Sequence, residues 1–97
     1  MISYTTPTFI FTIPASAHVE QALDVYFSIE QNDVKLTKHN LDVVENVVSV
    51  YLRHEESGKF QKGKAKIQLN WVYVNGRRAA MKPKQIDVED NLLREVI

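Results

Sequence analysis

Apolar and polar side chains alternate with a period of two through most of the chain. That pattern belongs to half-buried strands, because successive strand residues point to opposite faces. In "TFIFTIP" Phe9, Phe11 and Ile13 share one face and Thr8 and Thr12 the other, and Pro14 ends the strand. In "ALDVYFSIEQ" Leu23, Val25, Phe27 and Ile29 alternate with Asp24, Tyr26, Ser28 and Glu30, which predicts the best-defined strand in the protein. Asn32 and Asp33 supply turn chemistry, and Val34 and Leu36 carry the inward positions of a short returning strand, so the pair reads as a hairpin. Val48, Val50 and Leu52 then alternate with Ser49, Tyr51 and Arg53 before "HEESGK" breaks the pattern as a loop.

The next strand, "KAKIQLNWVYV", places Ala65, Ile67, Leu69, Trp71 and Tyr73 inward and Lys66, Gln68 and Asn70 outward. Asn75-Gly76 follows, the strongest short signal for a two-residue hairpin turn, since both residues tolerate positive φ. That register pairs Val74 with Arg77 and Trp71 with Ala80, and it aims Lys82 and Lys84 at the same face as Leu69 and Ile67. The conflict is resolved by a bulge near Pro83, which cannot donate to a ladder, or by a sheet edge, where lysines guard against aggregation. Ile86 and Val88 restore the inward face, and "EDNLLREVI" closes as one helical turn or a last short strand. "SAHVEQAL" is the weakest helix candidate, with Val19, Ala22 and Leu23 spaced for a turn or two.

Five to seven short strands without a long helical period predict an all-β, antiparallel β-sandwich or small barrel, immunoglobulin-like in size. The 97 residues are read as a single β-domain, 1–97, with one core. Its predicted members are Leu23, Val25, Phe27, Ile29, Val50, Leu52, Ile67, Leu69 and Trp71. Tyr26 and Tyr51 are expected to be exposed.

Charge and chemistry narrow the picture mainly by exclusion. Twelve basic and twelve acidic residues cancel, so no whole-molecule field draws the chain to nucleic acid or to an acidic membrane. Cysteine is absent, which removes disulfides and thiolate metal sites. No apolar run is long enough for a membrane helix and the start lacks a basic leader, so a membrane-free protein made inside the cell and complete from Met1 is expected.

"GKFQKGKA", Gly58 to Ala65, is one hydroxyl short of a phosphate-binding loop. Such a loop joins a strand to a helix whose amides cradle phosphate, whereas Ala65 has no hydroxyl and a strand follows Lys64. A solvated loop bent at Gly58 and Gly63 is the expectation. His18, His39 and His54 lack metal-ligand spacing and read as surface histidines. Ser57 sits in no nucleophile elbow, and Glu55 and Glu56 read as solvated loop carboxylates. No enzyme, cofactor or metal is expected.

One local asymmetry stands out. Eight basic residues and no acid lie between Lys59 and Lys84. Lys62, Lys64, Lys66, Arg77 and Arg78 are therefore candidate contacts for nucleic acid or another anionic polymer, with Trp71 or Tyr73 as stacking platforms. The plainer reading is preferred: Asp24, Glu30, Asp87, Glu89 and Asp90 meet the basic strand across the sheet, and the aromatics belong to the core. Leu92, Leu93, Val96 and Ile97 crowd large aliphatics into the end of the chain, where a polar, frayed terminus is usual. Either the chain's own core or another subunit covers them, and the second is preferred, which makes them a candidate association surface.

The succession "PTFIFTIP", "ALDVYFSIEQND", "VSVYLRHEESGKF", "KIQLNWVYVNGRRAA" and a final "LLREVI" resembles small uncharacterised proteins encoded in phages and prophages of Gram-positive bacteria. Those proteins often carry an "LTQEET-x-F" segment, then "IQ-x-R" and a closing "VI". Here Arg53 and His54 stand where Thr and Gln are expected, and Asn70 replaces the Arg. The resemblance spans Pro7 to Ile97 and carries over no catalytic residue. It implies a virion-assembly, tail or baseplate accessory protein, found in the host cytoplasm during synthesis and then in the virion. A structural or assembly module with a protein partner is thus the leading expectation, and a binder of nucleic acid or an anionic polymer through 59–84 the alternative.

Overall fold

The strand with the clearest alternation, β2 (Ala22–Gln31), lies at the centre of the molecule because its partner alternates in phase with it. It pairs antiparallel with β6 (Gly63–Tyr73), so that Val25 meets Trp71, Phe27 meets Leu69 and Ile29 meets Ile67. All six face inward and are buried. The computed structural model describes residues 1–94. On the other side of β2 lies β3 (Val34–Lys38), joined through Asn32 at φ 52, the positive-φ turn position that asparagine tolerates. The free side of β6 is shared by β7 (Arg78–Ala80) and β8 (Lys84–Val88), which completes a five-stranded sheet.

A three-stranded antiparallel sheet covers it, in the order β1 (Thr8–Thr12), β5 (Val47–Tyr51), β4 (Asp42–Val44). The two sheets form a small all-β sandwich, and the described residues contribute eight strands. Phe9 stacks on Phe27 at 5.4 Å between ring centroids, and Phe11 tilts against the same ring at 6.1 Å. Val48, Val50 and Leu52 fill the layer beside them with no accessible surface. Each such side chain contributes roughly 1.5–3 kcal/mol on leaving water, and this layer is what holds the sheets together. Trp71 and Tyr73 are tied into it: the Trp71 indole N–H donates to the Tyr73 hydroxyl at 2.9 Å, and that hydroxyl donates to the Ala17 carbonyl.

Several expectations need correction. Leu23 is 69% exposed, not in the core. The β2–β6 register shifts between Ala22 and Asp24, so Leu23 is the extra residue of a bulge and loses its inward phase. The Asn75-Gly76 hairpin is also out by one residue: Trp71 pairs with Ala79 and the Tyr73 N–H reaches the Arg77 carbonyl. The loop is Val74-Asn75-Gly76, with Gly76 at φ 87 closing a three-residue turn. Further along, the bulge and the sheet edge foreseen at Pro83 are both present. Met81, Lys82 and Pro83 oppose only Gln68 and Leu69, and Lys84 is exposed on the edge opposite Ile67.

Two segments lay beyond the period-two reading. β4 is too short to show alternation, and "HEESGK" is not wholly loop, since α1 (His54–Ser57) forms one helical turn within it. "SAHVEQAL" becomes two 3₁₀ turns, Ala15–Ala17 and Val19–Gln21, separated by His18 at φ 50. After β8 the chain makes no regular helix or strand over the remaining described residues apart from a clasp at Glu89. There Ser3 donates its N–H to the Glu89 carbonyl at 3.0 Å, and Glu89 donates to Met1 at 2.8 Å. Leu92 is wholly exposed and Leu93 half exposed, while Val96 and Ile97 lie outside the described residues.

Candidate functional site

The loop that resembles a phosphate cradle has its amides engaged from Gly58 to Lys62. Gly58 N–H is bound to His54, Lys59 N–H to Glu56 and Phe60 N–H to Ser57, all at backbone carbonyls. Gln61 N–H is held by the Gln31 side chain at 2.8 Å and Lys62 N–H by the Asp90 carboxylate at 3.3 Å. An anion needs free N–H groups converging on it. Here every one from Gly58 to Lys62 is spent on the fold. Gly63 provides a bend, at φ 141, but Gly58 does not, being ordinary helical backbone. Glycine is needed at 58 for space: a Cβ would stand 2.5 Å from the Tyr4 ring.

Lys64 lies exposed on β6 and pairs with Asp87 on β8. An exposed pair of this kind contributes little to stability, because water and salt screen it. Lys64→Ala is therefore expected to leave the urea midpoint almost unmoved, and calorimetric titration with ATP and magnesium should give no saturable heat. A nucleotide complex lost in Lys64→Ala would be the contrary result.

The acidic residues beside this loop are not alike. Glu55 is partly exposed, whereas Glu56, expected to be solvated, is buried. Its carboxylate accepts the Arg53 backbone N–H at 2.9 Å and the Lys38 ammonium at 2.9 Å. Burial pushes its pKa up, but those two donors outweigh burial and hold it below its ordinary 4.5. Lys38 also donates to the Tyr51 carbonyl at 2.7 Å, so one ammonium ties β3 to α1 and β5. Ser57 is fully buried, its hydroxyl given to the Thr5 carbonyl at 2.6 Å, and cannot meet a substrate.

The histidines are scattered. His39 pairs with Asp24 at 3.2 Å and stacks on Tyr26 at 5.9 Å, on the outer face. His54 is not the surface residue expected: it is half buried, with Nε2 shielded from solvent. His18 pairs with its neighbour Glu20. Among the described residues no three His, Asp or Glu side chains converge as a metal site would require.

The structure does not gather the five candidate basic contacts into one patch. Lys64 and Lys66 lie near the start of β6, while Arg77 and Arg78 flank its other end, six or so residues and roughly 20 Å away at strand rise. Lys62 immediately precedes the strand, at the Lys64 end. Between the ends the outer face is mixed: Lys66 is directly opposite Glu30, and Glu30 opposite Lys35. Tyr26, Ser28, Asn70 and Arg78 border a shallow hollow of about 360 Å³ on this face, with no acid–base pair inside it.

What does differ from an ordinary sandwich surface is one strand edge. Exposed edges present unpaired N–H and C=O groups and are normally blunted by shortness, charge, proline or bulges. β4 is three residues long and begins with Asp42. β3 carries Lys35 and Lys38. The β7–β8 edge is broken at Pro83 between Lys82 and Lys84. β1, "TFIFT", has none of these devices within its five residues, and the prolines beside it, Pro7 and Pro14, lie outside the strand. Pro7 accepts from Leu52 at 3.0 Å and Ile13 donates to Asn46 at 2.8 Å, so odd-numbered residues of this segment face β5. By alternation the N–H and C=O groups of Thr8, Ile10 and Thr12 point to the free side. The Ile10 side chain is 68% exposed, and Val44 and Tyr51 share its outer face. Alternation in the sequence located this strand; that it lies at an edge depends on topology, which the sequence does not state.

Among the described residues, no helix is long and apolar enough to cross a membrane. No family model, curated protein or solved structure matches the chain.

Proposed function

We propose that this chain is a non-enzymatic structural or assembly module that joins protein partners by strand-edge pairing. The observation that carries the proposal is the unguarded β1 edge, beside three guarded ones. Supporting it, Ser57 and Glu56 are consumed by internal hydrogen bonds, and the histidines are separated from one another. The resemblance to phage and prophage proteins makes a virion tail or baseplate the setting we propose. Binding of an anionic polymer through 59–84 is the weaker reading, because the basic residues are dispersed and Lys64 and Lys66 each face a carboxylate residue.

Sedimentation over a roughly hundredfold dilution, with and without a single-stranded oligonucleotide, separates the two. The assembly reading expects no oligonucleotide complex at about 50 mM salt, and protein association that survives at about 200 mM. A complex that weakens steeply with salt and disappears in Arg77→Ala/Arg78→Ala would overturn it.

A further inference from the structure

We infer that the partner at the β1 edge is a second copy of this chain, paired antiparallel about a two-fold axis through Ile10. The inference rests on the assembly reading and specifies its partner. The strand sequence Thr8-Phe9-Ile10-Phe11-Thr12 is a palindrome. Two copies run antiparallel about Ile10 therefore set Thr8 against Thr12, Phe9 against Phe11 and Ile10 against Ile10. Closed two-fold assemblies need a surface complementary to itself, and an odd palindrome in an edge strand supplies one.

The backbone phase agrees. Thr8, Ile10 and Thr12 are the residues whose N–H and C=O groups face outward, so these three pairs would each exchange two bonds, about six in all. The side chains agree as well. Opposite residues in a sheet point to the same face, so Phe9 and Phe11 would continue the core layer across the axis. The two exposed Ile10 side chains would cover each other on the outer face. The strand bears no charge, and the chain has no net charge, so neither local nor long-range repulsion opposes self-association. Pro14, an even-numbered residue with no N–H to offer the free side, would oppose Thr6 of the second copy at each end and stop the ladder there. The product is a six-stranded sheet, β4-β5-β1 joined to its two-fold image.

Amide hydrogen exchange on the wild-type chain, read residue by residue with sedimentation on the same samples, tests this. Phe9 and Phe11 serve as internal references, since their amides face β5 at any concentration. Thr8, Ile10 and Thr12 should exchange freely when dilute and gain protection as dimer forms. Ile10→Lys, which sets two ammonium groups side by side on the axis, should weaken the dimer about a hundredfold or more. Ile10→Val should keep it, and at dilutions where all three proteins are single chains both variants should match the wild-type urea midpoint, because Ile10 is exposed there. A dimer in which Thr8, Ile10 and Thr12 still exchange freely would overturn this pairing while leaving the assembly reading in place. A single chain at every concentration would overturn it as well. An oligonucleotide complex dependent on Arg77 and Arg78 would instead remove the assembly reading beneath it.

Discussion

Phe27→Ala is expected to cost about 3–5 kcal/mol, the range for truncating a fully buried aromatic. Phe27 has no accessible surface, lies opposite Leu69, and is the one ring on which both Phe9 and Phe11 rest. Truncation leaves a cavity between the sheets that Phe9 and Phe11 can fill only by moving their strand. A domain of this size commands roughly 5–15 kcal/mol, so the variant should unfold at a much lower urea concentration, if it remains folded at all. Equilibrium urea denaturation followed by Trp71 fluorescence reads the effect. A midpoint equal to the parent's would mean that Phe27 does not join the two sheets.

Glu56→Gln is expected to cost roughly 1–3 kcal/mol at neutral pH, because it removes the charge that the part-buried Lys38 ammonium and the Arg53 N–H meet. It should also alter the response to acid. Glu56 is held below its ordinary pKa, since the Arg53 and Lys38 bonds outweigh burial. A depressed carboxyl stabilises the fold above its unfolded pKa, and that stability is lost as pH falls through the folded value. Asp24 is lowered too, against burial, by the Asn40 and Val25 N–H groups and His39, and Asp87 by Lys64. The parent should therefore lose stability as pH falls from about 5 downward, and Glu56→Gln should show a shallower decline. Urea midpoints at a series of pH values check both. A slope unchanged by the substitution would mean that Glu56 contributes nothing to acid lability.

Period-two alternation was a sound guide wherever one face of a strand is buried and the other is not. Val25, Phe27, Ile29, Ile67, Leu69 and Trp71 carry that contrast and have the predicted phase. Leu23 carries the same contrast and has the wrong phase, because a bulge inserts a residue without leaving a mark in the hydrophobic pattern. The Val74-Asn75-Gly76 loop hides its register for a similar reason: glycine at positive φ ends a two-residue and a three-residue turn alike. At Pro83 the conflict between lysines and an inward face was itself the signal, and it marked a real bulge on a real edge.

The site chemistry was less legible. Glu56 reads in the sequence as one of two adjacent acids, and only the arrival of Lys38 from a different strand makes it buried and paired. The basic segment from Lys59 to Lys84 is continuous in sequence but folds into a hairpin with Arg77 and Arg78 at its turn and the lysines toward its open end, where Glu30 and Asp87 stand against Lys66 and Lys64. The β1 palindrome was present throughout, yet it acquires meaning only once that strand is found at an edge.

The clasp between residues 1–3 and Glu89 bears on how the molecule comes together. Its hydrogen bonds join positions 86 or more residues apart, so they form only after nearly the whole chain has been brought round. Closing so long a loop is entropically costly, and a scaffold of non-local pairings such as β1 with β5 and β2 with β6 places this fold among those that form in milliseconds to seconds. The β2–β3 and β4–β5 hairpins, with two-residue connections, are the local units available to start. The segment ahead of β1 would then lock late and open first, making the β8 end of the molecule the place where native-state fluctuations begin.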